Sequence, residues 1–128
     1  MFQAKNVQKA DFTLNEKVVF TTVTTNEGSG YNSSTGRFTA PVAGLYAFAK
    51  QICTHRTKSA LTTFMLNDIR VLDSQTTASL DENACASGQV FVQMNKGDQM
   101  WVAVKWDVTH ILSETVHQSN FAGAFIHP

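Results

Sequence analysis

Asp107, His110, Glu114 and His117 bring two imidazoles and two carboxylates into one polar stretch, WDVTHILSETVHQ. Imidazole and carboxylate together can coordinate a metal ion or hydrogen-bond the hydroxyls of a sugar. An ordinary solvated loop fits the same residues, and both readings stay open at this level. A second acidic group, Asp73, Asp81 and Glu82, flanks the segment QTTAS and offers hard oxygen ligands, with solvated surface charge as the competing reading. Asn32-Ser33-Ser34 is an N-glycosylation sequon in a glycine-rich stretch. Trp101 and Trp106 have opposite strand parity, so at most one faces a core, and the other could stack on a sugar or pack against a subunit. The sequence contains no GxSxG, HExxH, P-loop or zinc-ligand spacing, and Gly28-Ser29-Gly30 lacks the third glycine of a dinucleotide loop. Turn glycines with positive φ explain it more simply. The expectation is a binding protein that is not an enzyme.

The elements that must position these residues are β-strands. Apolar residues alternate within short segments rich in Val, Thr, Phe and Tyr, separated by turn residues, and helical periodicity is absent. Residues 18–23 (VVFTTV) read as a strand, followed by glycine-rich turning over NEGSGYNSSTG. Residues 45–52 place Tyr46, Phe48, Lys50 and Ile52 on one face and Leu45, Ala47 and Ala49 on the other, so both faces are expected to be largely buried. LTTFML, an Asn67-Asp68 turn and IRVLD read as a hairpin. Residues 90–94 and 100–106, joined by Asn95-Lys96-Gly97-Asp98, read as a second and cleaner one. The last strand, 120–126, puts Phe121, Gly123 and Phe125 on one face and Ala122, Ala124 and Ile126 on the other. A closing strand apolar on both sides must lie inside a sheet, between its own core and a second hydrophobic surface, which in so small a domain is another subunit.

A chain of 128 residues fits one domain, residues 1–128. Ten basic residues balance ten acidic ones, which removes the long-range field that draws proteins to nucleic acid or anionic membranes. No apolar run reaches the roughly 18 residues of a membrane-spanning helix, and the start MFQAKNVQK has no signal-peptide core. The expectation is a soluble, secreted domain whose export signal lies outside this chain. Cys53 and Cys85 are too far apart for a CxxC motif, and give either one disulfide or two buried thiols.

Phe20, Asn26, Tyr31, Phe38, Gly44, Tyr46 and Phe48 hold seven fixed positions at fixed spacings. In this the chain resembles the complement C1q globular-head family, whose pattern spaces a Phe, an Asn or Asp, an aromatic, a Phe and Gly-x-Tyr-x-Phe. Phe2-Gln3-Ala4 is similar to that family's first strand, the segment around Lys96 to Trp101 to its penultimate hairpin, and Phe121-x-Gly123 to its last strand, so the resemblance covers the whole chain. The pattern closes on Phe or Tyr where this sequence has Lys50, whose ammonium must snorkel, pair or face water. The resemblance implies an all-β, ten-strand jelly-roll β-sandwich similar to tumour necrosis factor, assembled as a homotrimer through its inner sheet. It places Cys53 and Cys85 on antiparallel neighbours, where a disulfide between them and a pair of free thiols stay equally open. It suggests calcium as an ion for Asp73, Asp81 and Glu82, with no cofactor required. If three Lys50 approached the trimer axis, they would form a cationic ring for an anionic ligand. This chain has no Gly-X-Y stalk, one elsewhere in a longer precursor stays open, and the short polar turns look most like those of stand-alone invertebrate innate-immune lectins: secreted, extracellular pattern-recognition proteins binding carbohydrate or other microbial surface ligands. A receptor ligand resembling cytokines or synaptic organisers, and a structural matrix module, are the alternatives.

Overall fold

The computed structural model describes residues 1–106 and 109–128. Among them thirteen strands form: β1 (Phe2–Val7), β2 (Asp11–Phe12), β3 (Lys17–Val18), β4 (Phe20–Asn26), β5 (Tyr31–Asn32), β6 (Arg37–Thr39), β7 (Gly44–Thr54), β8 (Ser59–Leu66), β9 (Ile69–Thr77), β10 (Ala84–Met94), β11 (Gln99–Val104), β12 (Thr109–His110) and β13 (Asn120–His127). They build a jelly-roll sandwich of two antiparallel sheets. One has the order β10-β7-β13-β1-β4, and the other follows β5-β6-β11-β8-β9 with β3 also paired to β11. A two-stranded ribbon, β12-β2, lies apart from both. The expected ten strands become thirteen segments, four of them only two residues long.

Period-two patterning sets the layers. Along β7, Tyr46, Phe48, Lys50 and Ile52 are buried between the sheets, whereas Leu45, Ala47, Ala49 and Gln51 face outward and are at most partly covered. β13 sits between β7 and β1 in the interior of its sheet, as its two-sided apolar pattern requires. Phe121 and Gly123 turn inward, while Phe125, 41 % exposed at the rim, meets Tyr46 edge-on at 5.2 Å.

The inner layer is aromatic. Phe2 stacks on Tyr31 at 4.9 Å and on Phe38 at 5.1 Å, and meets Phe121 edge-on at 5.0 Å. Each such buried ring contributes roughly 2–3 kcal/mol through lost apolar surface, with about 0.5–1.5 kcal/mol more per well-oriented pair. Gly123 is the floor beneath two of these rings: a Cβ there would lie 2.5 Å from the Phe2 ring and 2.7 Å from Phe48. The spacing of the Phe-Asn-Tyr motif also has a physical cause. Asn26 closes the turn before Tyr31 by accepting from the Tyr31 N–H at 3.1 Å and donating to its carbonyl at 2.8 Å. The Tyr31 hydroxyl donates to the Phe20 carbonyl at 2.7 Å and accepts from the Phe20 N–H at 3.1 Å, and burial pushes this phenol up to about 12.

Three expectations about elements need correction. The strand expected over 18–23 is broken at Val19, because the chain changes sheet there: β3 pairs with β11 and β4 with β1. The IRVLD strand runs on to Thr77. The segments around the Asn95–Asp98 turn are not a hairpin at all, since β10 pairs with β7 in one sheet and β11 with β6 and β8 in the other. The turn is instead anchored on the chain after β6, with the Gly97 N–H donating to the Ala40 carbonyl and the Ala40 N–H to the Asp98 carbonyl. β11 is buried on both faces and needs a neighbour on each side, whereas β10, with Ser87, Gln89 and Gln93 outward, tolerates an edge.

Candidate recognition surface

Cys53 of β7 and Cys85 of β10 are cross-strand partners and form a disulfide, which settles the choice between bridge and free thiols. Around it one end of the sandwich is tied together. The Leu112 N–H donates to the Cys53 carbonyl at 2.7 Å, and the Cys53 N–H donates to the Ser119 hydroxyl at 2.9 Å. That hydroxyl donates to the Leu112 carbonyl at 2.7 Å, which fixes both ends of the segment 112–119. Asn83, before β10, accepts from the Arg56 N–H at 2.8 Å and reaches the Glu114 carboxylate at 3.5 Å. Three connections far apart in sequence therefore converge at this end: β7 to β8, β9 to β10, and the approach to β13.

The expected His/carboxylate group is split into two pairs here. His117 Nδ1 lies 2.7 Å from the Glu114 carboxylate, and His110, in β12, lies 3.1 Å from Asp11 of β2. Asp107 falls outside the described residues. His55, Asn83 and Asp11 join this surface without any local signal in the sequence, because pairing of β2 with β12 and the loop at Asn83 bring them in.

The acidic group does not assemble into a cation site. Asp73 stands in β9, where the Arg70 guanidinium grips both its oxygens at 2.6 Å and holds its carboxyl below the usual range. Asp81 and Glu82 lie in the following loop, where their N–H groups donate to the Ser79 hydroxyl at 3.3 and 3.0 Å. Among the described residues no group of three His, Cys, Asp or Glu side chains is placed to hold a metal ion. The placement fails because parity and the Arg70 pair turn Asp73 to its own strand surface.

Lys50 also departs from expectation. Its side chain is 1 % exposed and runs between the two sheets, its Nζ donating to Thr62 Oγ1 at 3.0 Å and to the Leu72 carbonyl at 3.4 Å, 4.8 Å from the Phe64 ring centre. The amine thus faces the opposite sheet instead of the outward face of β7, and three copies cannot form a cationic ring there. Burial pulls its pKa down to about 7, with Asp73 opposing the shift and Arg70 adding to it.

Trp101 lies nearly buried on β11 with the Arg37 guanidinium 4.5 Å over its ring, while Trp106 is half-buried beyond the strand. Trp101 is thus no bare stacking platform. Asn32 is exposed in β5, and its carboxamide oxygen accepts from the Ser34 N–H at 2.8 Å.

A second surface is the outward face of the five-stranded sheet. Ala47, Ala49, Ala122 and Ala124 floor a shallow apolar depression rimmed by Gln3 and Gln89. Phe91, opposite Ala47 in the register and 62 % exposed, stands beside it.

A model of the C1q domain matches residues 1–126. The chain belongs to the C1q domain family. A complement C1q subcomponent of the rat, Rattus norvegicus, is 31% identical over 114 residues, 89% of this chain and 45% of the relative. The bovine protein HP-25 homolog 2 is also 31% identical, over 88% of this chain and 51% of its own length. Mouse complement C1q tumor necrosis factor-related protein 3 is 26% identical, over 85% and 44%. The chain thus spans about half the length of the curated relatives it matches. The globular domain of zebrafish complement 1qA protein superposes with a TM-score of 0.78 at 16% identity, over 98% of this chain and 96% of that one. The Eiger TNF structure from S. frugiperda superposes with 0.70 at 11% identity, over 98% and 91%. Both likenesses establish the jelly-roll fold. No helix among the described residues is long and apolar enough to cross a membrane.

Proposed function

We propose that this chain is a secreted recognition domain that acts as a homotrimer and binds carbohydrate or other microbial surface groups through the disulfide end of the sandwich. The observation that carries this reading is the outward face of the five-stranded sheet, where four alanines and an exposed phenylalanine leave an apolar surface with no cover of its own. Three copies packed through that face would bury it and point three identical loop ends the same way, so that weak single-site binding is multiplied. The loop end suits sugars because it presents imidazoles, carboxylates and the Asn83 carboxamide on a frame held by a disulfide. That disulfide fits an oxidising, extracellular compartment. A glycan array probed with and without calcium tests the reading. Binding to a defined glycan set, competed by the free sugar, is the expected result.

Two observations favour a second reading. The fold overlaps the Eiger TNF structure, and relatives carry the tumor necrosis factor-related name, which fits a ligand gripping a protein receptor in the grooves between subunits. A blank array together with capture of a single membrane protein would shift the assignment to it.

A further inference from the structure

Two imidazoles at the disulfide end, those of His55 and His110, lie close together as a pair. The rings of His55 and His110 lie 6.1 Å apart between centroids, inclined at 76°. Each is held from behind by a group that can only accept: His55 Nδ1 lies 3.0 Å from the Arg56 carbonyl oxygen, and His110 Nδ1 lies 3.1 Å from the Asp11 carboxylate. In a neutral ring such a partner places the proton on Nδ1, which leaves the Nε2 lone pair free on both rings. Imidazoles that bind metals through one nitrogen characteristically give the other N–H to a carboxylate or carbonyl, which fixes the tautomer and raises the basicity of the ligating nitrogen. Two rings bonded to one ion at about 2.0–2.1 Å have centroids roughly 5–6 Å apart. Both side chains are only partly buried, so each ring is reachable from solvent.

We propose that His55 and His110 form a two-imidazole site for a borderline divalent transition-metal ion, with Zn2+ as its reference case, Asp11 and the Arg56 carbonyl aiming the rings. Imidazole nitrogen suits zinc, copper and nickel and is a poor ligand for calcium or magnesium. With two protein ligands, a tetrahedral ion keeps two positions for water or for oxygen donors of a bound molecule. The site bridges β12 to the end of β7, and so to the strand that carries Cys53. It does not depend on carbohydrate binding, and its test contains no glycan.

Calorimetric titration of the untagged, chelator-treated chain with ZnCl2 should give one saturable site per chain. His55→Ala and His110→Ala should each abolish it, and Asp11→Ala should weaken it about tenfold or more. His127→Ala, at the far end of β13, should leave it unchanged. Long-range proton–nitrogen NMR of the wild-type rings is the companion measurement, independent of any variant's folding: zinc should shift Nε2 of His55 and His110 together. A titration without saturation, an isotherm that survives His55→Ala, or zinc shifts on other histidines in place of these two would overturn the proposal.

Discussion

Lys50 is the residue where pattern and physics part. The family-like spacing asks for an aromatic there, and the sequence makes the exception plain. Where the amine goes was not legible, because Thr62, Leu72 and Phe64 reach it only through the packing of β8 and β9 over β7. In the unfolded chain a lysine titrates near 10.4, and in the fold Lys50 titrates at about 7. Between these values the unfolded state holds a proton the folded state lacks, so stability falls as pH drops from about 10 to 7. Below that both states are protonated and the penalty stays constant. Lys50→Met should therefore stabilise the domain by about 2 kcal/mol or more at pH 7, with the gain shrinking towards pH 10. Urea unfolding at the two pH values checks both size and direction. Asn26 works the other way: it satisfies two backbone groups of Tyr31, and Asn26→Ala should lose roughly 1–3 kcal/mol in the same assay.

At the scale of elements, β7 is the organising strand, joined to β13 on one side and to β10 on the other, with the disulfide at its end. The bridge spans 32 residues of sequence, and chain entropy alone gives such a loop about 3–4 kcal/mol. Thermal unfolding with and without reductant should show a loss of that order, and hydrogen exchange should rise first over residues 112–119, whose anchors run through Cys53. Gly123→Ala should lower stability by about 1–3 kcal/mol, because the methyl group would press on the Phe2 and Phe48 rings. Strand periodicity made most of these elements readable, including the two-sided character of β7 and β13. It failed at the Asn95–Asp98 turn, since a tight glycine turn looks the same whether its strands pair or part into opposite sheets. The same limit hid the candidate recognition surface. His110 and His117 stood out by type, but Asp11, His55 and Asn83 are brought to them by strand pairing and loop convergence that no local spacing encodes.

For the whole molecule the decisive feature is a sheet whose outer face is built like an interior. Alanines at 47, 49, 122 and 124 lie side by side across β7 and β13, too small to hold water off by themselves and well shaped for close approach of another surface. Ala49 is exposed in the single chain, so Ala49→Arg should leave folding intact while placing three charges in the contact of a trimer. The variant should keep the thermal profile of a folded domain and lose the assembly. The most direct measurement is the mass of the wild-type chain in solution, read by light scattering after size separation at micromolar concentration. A particle of three 14.1 kDa chains is the expected result, and a stable, well-folded particle of one chain would contradict the account of this face and of the threefold display built on it.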